Sequence, residues 1–219
     1  MQSYSQRVRD SILPLSVGGT LPKAFEEWYF TGSTEDHEEP CETCELCGQD
    51  GLRYHFEISN RFTGHALHVG SHCILQFDVA VYEGSRRLTP KEAEKWLDKL
   101  TQQMRLNSCI KALEKLARAE RSSILENALT YYRKNKKLTP RQAFVVFWRP
   151  RRNRIDHSPS FFNVTLRRKQ HAADLQEMTT DKVHFFWCAL TPAQRKQAIR
   201  FGHSPPKEQA SVRTGERST

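Results

Sequence analysis

Four of the six cysteines, Cys41, Cys44, Cys47 and Cys73, fall in the first third of the chain. Cys44-Glu45-Leu46-Cys47-Gly48 has the spacing of a metal knuckle: two thiolates three positions apart reach one ion from a tight turn, and the glycine lets the backbone fold back. Gly70-Ser71-His72-Cys73 returns a third thiolate 26 residues after Cys47. A tetrahedral structural zinc needs a fourth donor. Cys41, which extends the run to C-x2-C-x2-C, and His68 are the leading candidates, ahead of His55 and of His72, whose neighbour Cys73 already claims the ion. The same cysteine run also suits an iron–sulfur cluster, although no proline follows the last cysteine. Cys109 and Cys188 stand in apolar helical contexts and are expected to be buried thiols.

Catalysis at such a metal needs an open coordination position and a nearby acid or base. Glu57 and His55 could serve, and Asn60 with His65 resembles part of a ββα-metal nuclease. The His, Asn, His order with a helix behind the last histidine is not met. A metal-dependent nuclease built on His55, His68 and the cysteine site is therefore the hydrolytic alternative, not the first reading.

The elements that must position these residues are short. Leu52-Arg53-Tyr54-His55-Phe56-Glu57-Ile58 alternates apolar and polar, as a half-buried strand does. Ser59 to Gly64 supplies turn residues, and Ala66-Leu67-His68-Val69 alternates again. If Tyr54, Phe56 and Ile58 share a face with Leu67 and Val69, His55 and His68 lie close together on the other. Upstream, Leu21 to Phe30 spaces aromatics as a helix does, and Thr31 to Pro40 looks like an acidic, turn-rich loop.

Glu27-Trp28-Tyr29-Phe30-Thr31-Gly32, Cys44-Glu45-Leu46-Cys47-Gly48, Leu52 to Ile58, Asn60-Arg61-Phe62-Thr63-Gly64 and Val69-Gly70-Ser71-His72-Cys73-Ile74 together resemble a zinc-finger-like module. It is of the treble-clef or zinc-ribbon kind, in uncharacterised bacterial and phage or mobile-element proteins. The resemblance covers about residues 20–77. It implies a metal on Cys44, Cys47 and Cys73, with Cys41 the less dependable member, and brings no activity with it.

Charge divides the chain of 219 residues, whose formal net charge is +9. Residues 1–87 hold 7 basic and 13 acidic side chains, residues 88–219 hold 27 and 12. Such asymmetry points to a polyanion as partner of the second part. Arg149, Arg151, Arg152 and Arg154 follow Phe147-Trp148, and Arg167-Arg168-Lys169 closes a strand expected from Phe161. The arginine fork suits phosphates, and Trp148 with Phe161 and Phe162, one of the pair facing outward, would stack bases. Helices are expected from three Leu-Thr-Pro starts at Leu88, Leu138 and Leu190, each with a proline at the first helical position. Asn107 to Tyr132 carries an amphipathic stripe with a possible break at Ser122-Ser123. Ala172 to Met178 and Lys182 to Ala189 are shorter candidates.

A mean hydropathy of −0.69 and the lack of any long apolar run exclude a transmembrane helix. The first twenty residues lack a secretory h-region, so the expected compartment is the cytoplasm. No nucleotide-binding, nucleophile-elbow or paired-acid motif is present. The expectation is an α+β protein: an acidic zinc-knuckle and β-hairpin module over 1–87, a basic, mostly helical domain with a short strand over 88–202, and a disordered tail over 203–219. Its expected function is non-catalytic binding of DNA or RNA, single-stranded nucleic acid included. The alternative is an adaptor whose acidic module docks a protein partner in replication or host defence.

Overall fold

The computed structural model describes residues 3–206. The fold is α+β, a small antiparallel sheet near the N-terminus followed by helices. Packing separates two compact units, residues Met1–Ser108 and Cys109–Thr219. Charge composition changes at 87/88, whereas packing changes within a helix that starts in one unit and ends in the other.

The first unit opens with α1 (Tyr4–Ile12), a short turn and α2 (Leu21–Phe25). A sheet of order β1-β2-β3 follows, made of β1 (Trp28–Asp36), β2 (Tyr54–Asn60) and β3 (Ala66–Val69). Phe30 faces Ile58, and Phe56 and Ile58 face Val69 and Leu67. These apolar residues form one face, on which Trp28, Leu46 and Ile74 are also fully buried. The helical reading of Trp28 to Phe30, and the loop reading of Thr31 to Asp36, are corrected: both lie in β1, and only His37 to Pro40 remain outside regular structure. The register shifts between Phe30 and Thr34, where Gly32 sits at φ +91°. That bulge breaks the alternation by which a strand is recognised, and only glycine enters such a φ without strain.

After β3 come α3 (Ser71–Gln76), the two-residue strands β4 (Tyr82–Glu83) and β5 (Arg86–Arg87), and α4 (Pro90–Ala119). Ala93, Leu97 and Met104 of α4 belong to the first unit's core.

The second unit holds the end of α4, then α5 (Ser123–Asn135), α6 (Pro140–Asn153), α7 (Lys169–Glu177), α8 (Thr180–Phe186) and α9 (Pro192–Arg200). The three Leu-Thr-Pro starts open α4, α6 and α9. Thr139 with Gln142 and Thr191 with Gln194 form complete capping boxes, and Glu92 reaches back to the Thr89 N–H. Leu88, Leu138 and Leu190, just ahead of the caps, are buried, which sets the angle at which each chain enters its helix. The break expected at Ser122-Ser123 is where α5 begins.

Phe161 to Arg168 does not form the expected strand. Val164 makes one isolated bridge to Leu138, and Phe161 and Phe162 are both buried. Phe162 packs edge-on against Tyr132 and Phe147, while Tyr132 donates to the Phe161 carbonyl. Neither ring is available to a base. Residues 207–219 lie outside the described residues. His203, placed in the expected tail, is buried and bonds the Leu175 carbonyl at 2.7 Å, so order extends past the start of that segment.

Candidate metal centre and cationic face

The knuckle lies between β1 and β2. Its turn closes through the Gly48 N–H to the Cys44 carbonyl at 2.8 Å, and Gly48 adopts φ +69°, the left-handed conformation its position requires. Cys73 lies in the first turn of α3. Cys44, Cys47 and Cys73 are all buried, with Cys73 Sγ 3.7 Å from Cys44 Sγ and 3.4 Å from Cys47 Sγ. The three sulfurs lie within 4.8 Å of one another and could hold a metal ion, the one such group among the described residues.

The protonation pattern fits that use. A hydrogen bond from the Cys73 thiol, stronger in effect than the opposing burial, lowers the Cys44 thiol to about 5; the backbone N–H groups of Cys47, Gly70 and Leu46 add to it. Cys73 is pushed up, first by keeping the proton it gives to Cys44 and then by burial. Burial also raises Cys47. Without an ion the three sulfurs share protons; a cation stabilises all three as thiolates.

Neither expected fourth ligand joins them. Cys41 is exposed, and His68 is engaged by carboxylates, its Nδ1 3.4 Å from Glu45 and its Nε2 4.0 Å from Glu57. The thiols instead line a cleft with Tyr4, Gln49, His72 and Gln76. The Tyr4 hydroxyl donates to Gln76 Oε1 at 2.8 Å, and burial, then the negative charge of Cys73 and Cys47, pushes its pKa up, so it remains a donor. Tyr4 gives no signal in the sequence, because α1 brings it to the thiols from the far end of the unit. Cys109 is buried as expected, whereas Cys188 is exposed.

In the second unit the arginines divide. Arg149 pairs with Glu120 and lies over the Trp148 ring at 4.8 Å. Its charge is committed within the chain, which removes it from a phosphate-binding set. Arg151, Arg152, Arg154, Arg167, Arg168 and Lys169 are exposed, and no carboxylate among the described residues pairs with them. Arg152 stands 5.2 Å from the Trp148 ring and Arg151 5.4 Å from Phe185. Phe144 stacks on Trp148 at 6.2 Å, meets Phe185 edge-on at 5.7 Å, and carries Lys182 5.6 Å from its ring. These rings are half-buried. Phe144, Phe185 and Lys182 thus extend the aromatic and cationic face around Trp148. The spacing of Phe144 and Trp148, one helical turn apart, signals a pair; Phe185 arrives only through the packing of α8 on α6.

No helix of the described residues is long and apolar enough to cross a membrane. Compared with known protein families, with curated proteins and with solved structures, the chain matches none of them.

Proposed function

We propose that the protein is a zinc-stabilised, non-catalytic nucleic-acid-binding protein. In this reading the first unit is held by zinc on Cys44, Cys47 and Cys73, and the second unit binds DNA or RNA. The observation that carries it is the face around Trp148. Unpaired arginines alternate there with half-buried rings, where a solubilising surface would carry scattered lysines paired with carboxylates. Residues 109–219 hold 23 basic against 9 acidic side chains, which supplies the long-range attraction. Arg151, Arg152, Arg154, Arg167, Arg168 and Lys169 neutralise phosphates, while Trp148 and Phe144 offer ring surface to an unstacked base. The three thiols favour zinc over an iron–sulfur cluster because a fourth cysteine is not beside them. Elemental analysis and the absorbance spectrum of the purified protein separate the two.

Binding of labelled single-stranded DNA, single-stranded RNA and duplex DNA, followed by anisotropy across a salt series, tests the reading. Six phosphate contacts predict a log–log salt slope of about −4 on single strands. Exchanging Arg151, Arg152 and Arg154 for glutamate is expected to weaken binding by more than about a hundredfold and to flatten the slope. Equal affinity at low and high salt, or unchanged binding by that variant, overturns it. In that case a partner captured by the acidic first unit after nuclease treatment would support the adaptor reading. Cleavage of any of the three probes by zinc- or manganese-loaded protein would remove the non-catalytic part of the proposal.

A further inference from the structure

Strand β1 is an edge of its sheet, whose order is β1-β2-β3. Its outer side meets the chain after α3 in one parallel bridge, Tyr29 with Ala80. There the Phe30 N–H donates to the Ala80 carbonyl at 2.8 Å, and the Ala80 N–H to the Trp28 carbonyl at 3.4 Å. Beyond that bridge no backbone hydrogen bond joins the two stretches among the described residues. β1 passes into its bulge, where Thr31 to Ser33 have no register partner in β2, and the other stretch turns into the β4–β5 hairpin. A cleft of about 610 Å³ opens where they part, lined by Tyr29, Gly32, Arg61, Tyr82, Gly84 and Trp96 of α4 among others. That size falls within the range of small-molecule sites, about 300–1,000 Å³.

Two features set this cleft apart from an ordinary surface depression. First, three rings that carry a polar handle, Tyr29, Tyr82 and Trp96, all line it, and neither hydroxyl nor the indole N–H bonds another group among the described residues. Second, its charge runs against that of its surroundings. Residues 1–87 are net acidic, with 7 basic and 13 acidic side chains, and Arg53, Arg86 and Arg87 are each held by a carboxylate. Arg61 lines the cleft, is exposed and pairs with no carboxylate among the described residues. Glu83 of the hairpin and Glu92 of α4 are both taken by Arg86. Lys99, one turn after Trp96, lies 5.3 Å from its ring and adds positive charge. A Cβ at Gly32 or Gly84 would meet nothing within 4 Å, so the mouth is open. An unpaired guanidinium among rings, in an acidic unit, suits an anion with an aromatic part.

We propose that this cleft binds a nucleotide, its base against Trp96 and the tyrosine rings and its phosphate on Arg61. Aromatic rings stack any base, because every base has a π-face, and the guanidinium fork matches phosphate oxygens in pairs. The hydroxyls of Tyr29 and Tyr82 and the indole N–H serve the polar edge of the base, which a purely apolar ring would leave unused. A free mononucleotide and the terminal nucleotide of a strand share this chemistry. The site uses no residue of the face around Trp148 and stands whether or not that face binds nucleic acid.

Calorimetric titration of the full-length protein with adenosine and uridine 5′-monophosphates, and with the two nucleosides, tests the site. One mononucleotide is expected to bind per chain, and each nucleoside to bind about tenfold more weakly, for want of the charge-assisted contact to Arg61. Arg61→Ala is expected to bring the nucleotide down to the level of its nucleoside. The change removes an exposed side chain and keeps the N–H that bonds the Glu27 carbonyl. Tyr82→Ala, on the exposed hairpin, is expected to weaken nucleotide and nucleoside alike by about tenfold. Unchanged melting temperatures show that both variants have folded. Failure of either mononucleotide to bind at millimolar concentration overturns the proposal, as does binding that both variants leave intact. If binding is instead lost when Arg151, Arg152 and Arg154 are exchanged for glutamate, the nucleotide belongs to the second unit; this site fails and the nucleic-acid reading survives. Strands with and without a 5′-phosphate separate the two sources. A gain from the phosphate that vanishes in Arg61→Ala identifies a strand end, and mononucleotide binding without that gain identifies a free nucleotide.

Discussion

Replacing Cys73 by serine is expected to release the metal and to lower the melting temperature of the first unit by at least about 15 °C. Loss of a structural metal belongs with the few single changes that cost about 4 kcal/mol or more, and in a domain of about 100 residues each kcal/mol moves the midpoint by about 4 °C. The reason lies in what the ion would tie together. The knuckle region between β1 and β2 has little regular structure beyond the isolated bridge of Glu42 with Leu52. Its contribution to the core is Leu46, Cys44 and Cys47. An ion on the three sulfurs fixes that segment to α3, across 26 and 29 residues of sequence. Without it, the three buried thiols must share protons at 3.4 and 3.7 Å, and the first to ionise, Cys44, would leave a thiolate with no cation beside it. Serine offers zinc a poorer, harder ligand and cannot fill the volume of the sulfur. A strong chelator should reproduce the shift in the wild-type protein and add nothing to Cys73→Ser. Cys41→Ser, at an exposed position outside the group, should move the midpoint by less than about 2 °C. If Cys73→Ser melts with the wild type and the chelator is without effect, the thiols are not a metal centre. A large shift from Cys41→Ser would restore that residue as a ligand.

The parts of this fold that are written in local sequence are legible in the residues themselves. The Thr-Pro-x-Gln starts of α6 and α9 need only the residues within one turn, and both form the expected capping boxes. The alternation of β2 and β3 likewise places His55 and His68 on one face. What depends on distant pairing is not legible in this way. Strand β1 is interrupted at Gly32 and finds its partner in β2 only after the whole knuckle has intervened, so its acidic end reads as a loop. Cys41 continues the cysteine pattern, but that pattern cannot say which way the chain turns ahead of the knuckle. Phe161 and Phe162 sit beside each other in an irregular segment enclosed by helices, where period-two reasoning does not apply, and both are buried. The arginine clusters are visible as composition. Which of them is spent on an internal carboxylate, as Arg149 is on Glu120, is not.

The second large effect is expected at Glu27, the first residue of the Glu-Trp-Tyr-Phe-Thr-Gly motif, which touches no metal ligand. Its carboxylate is 6% exposed and accepts from the Val17 N–H at 2.9 Å, the Gly18 N–H at 2.5 Å and Asn60 Nδ2 at 2.7 Å. Asn60 in turn holds the turn after β2, its Oδ1 accepting from the N–H groups of Phe62 and Thr63. The Glu-Trp and Asn-Arg-Phe-Thr-Gly motifs are thus two halves of one structural clasp. Glu27→Ala removes the acceptor of three donors, the buried Asn60 amide and the part-buried N–H groups of Val17 and Gly18. At about 1–3 kcal/mol for each group left unpaired, partly relieved by water, the expected loss is about 3 kcal/mol, or about 12 °C. Glu27→Gln tests the charge. Its amide keeps one acceptor oxygen, so its NH2 must face either the Gly18 N–H or the donors of Val17 and Asn60, and it should be weaker than wild type at neutral pH. Burial works to raise the Glu27 pKa, but the hydrogen bonds from Asn60, Val17 and Gly18 prevail and hold it below the ordinary 4.5. A carboxyl depressed in the folded state contributes stability that is full above its unfolded pKa and is lost as pH falls through its folded one. The stability gap between wild type and Glu27→Gln, measured by denaturant unfolding at a series of pH values, should therefore be constant above about pH 5.5 and shrink below about pH 4.5. A gap that stays level down to the acid limit, or that widens there, would show that the clasp does not hold an ionised Glu27.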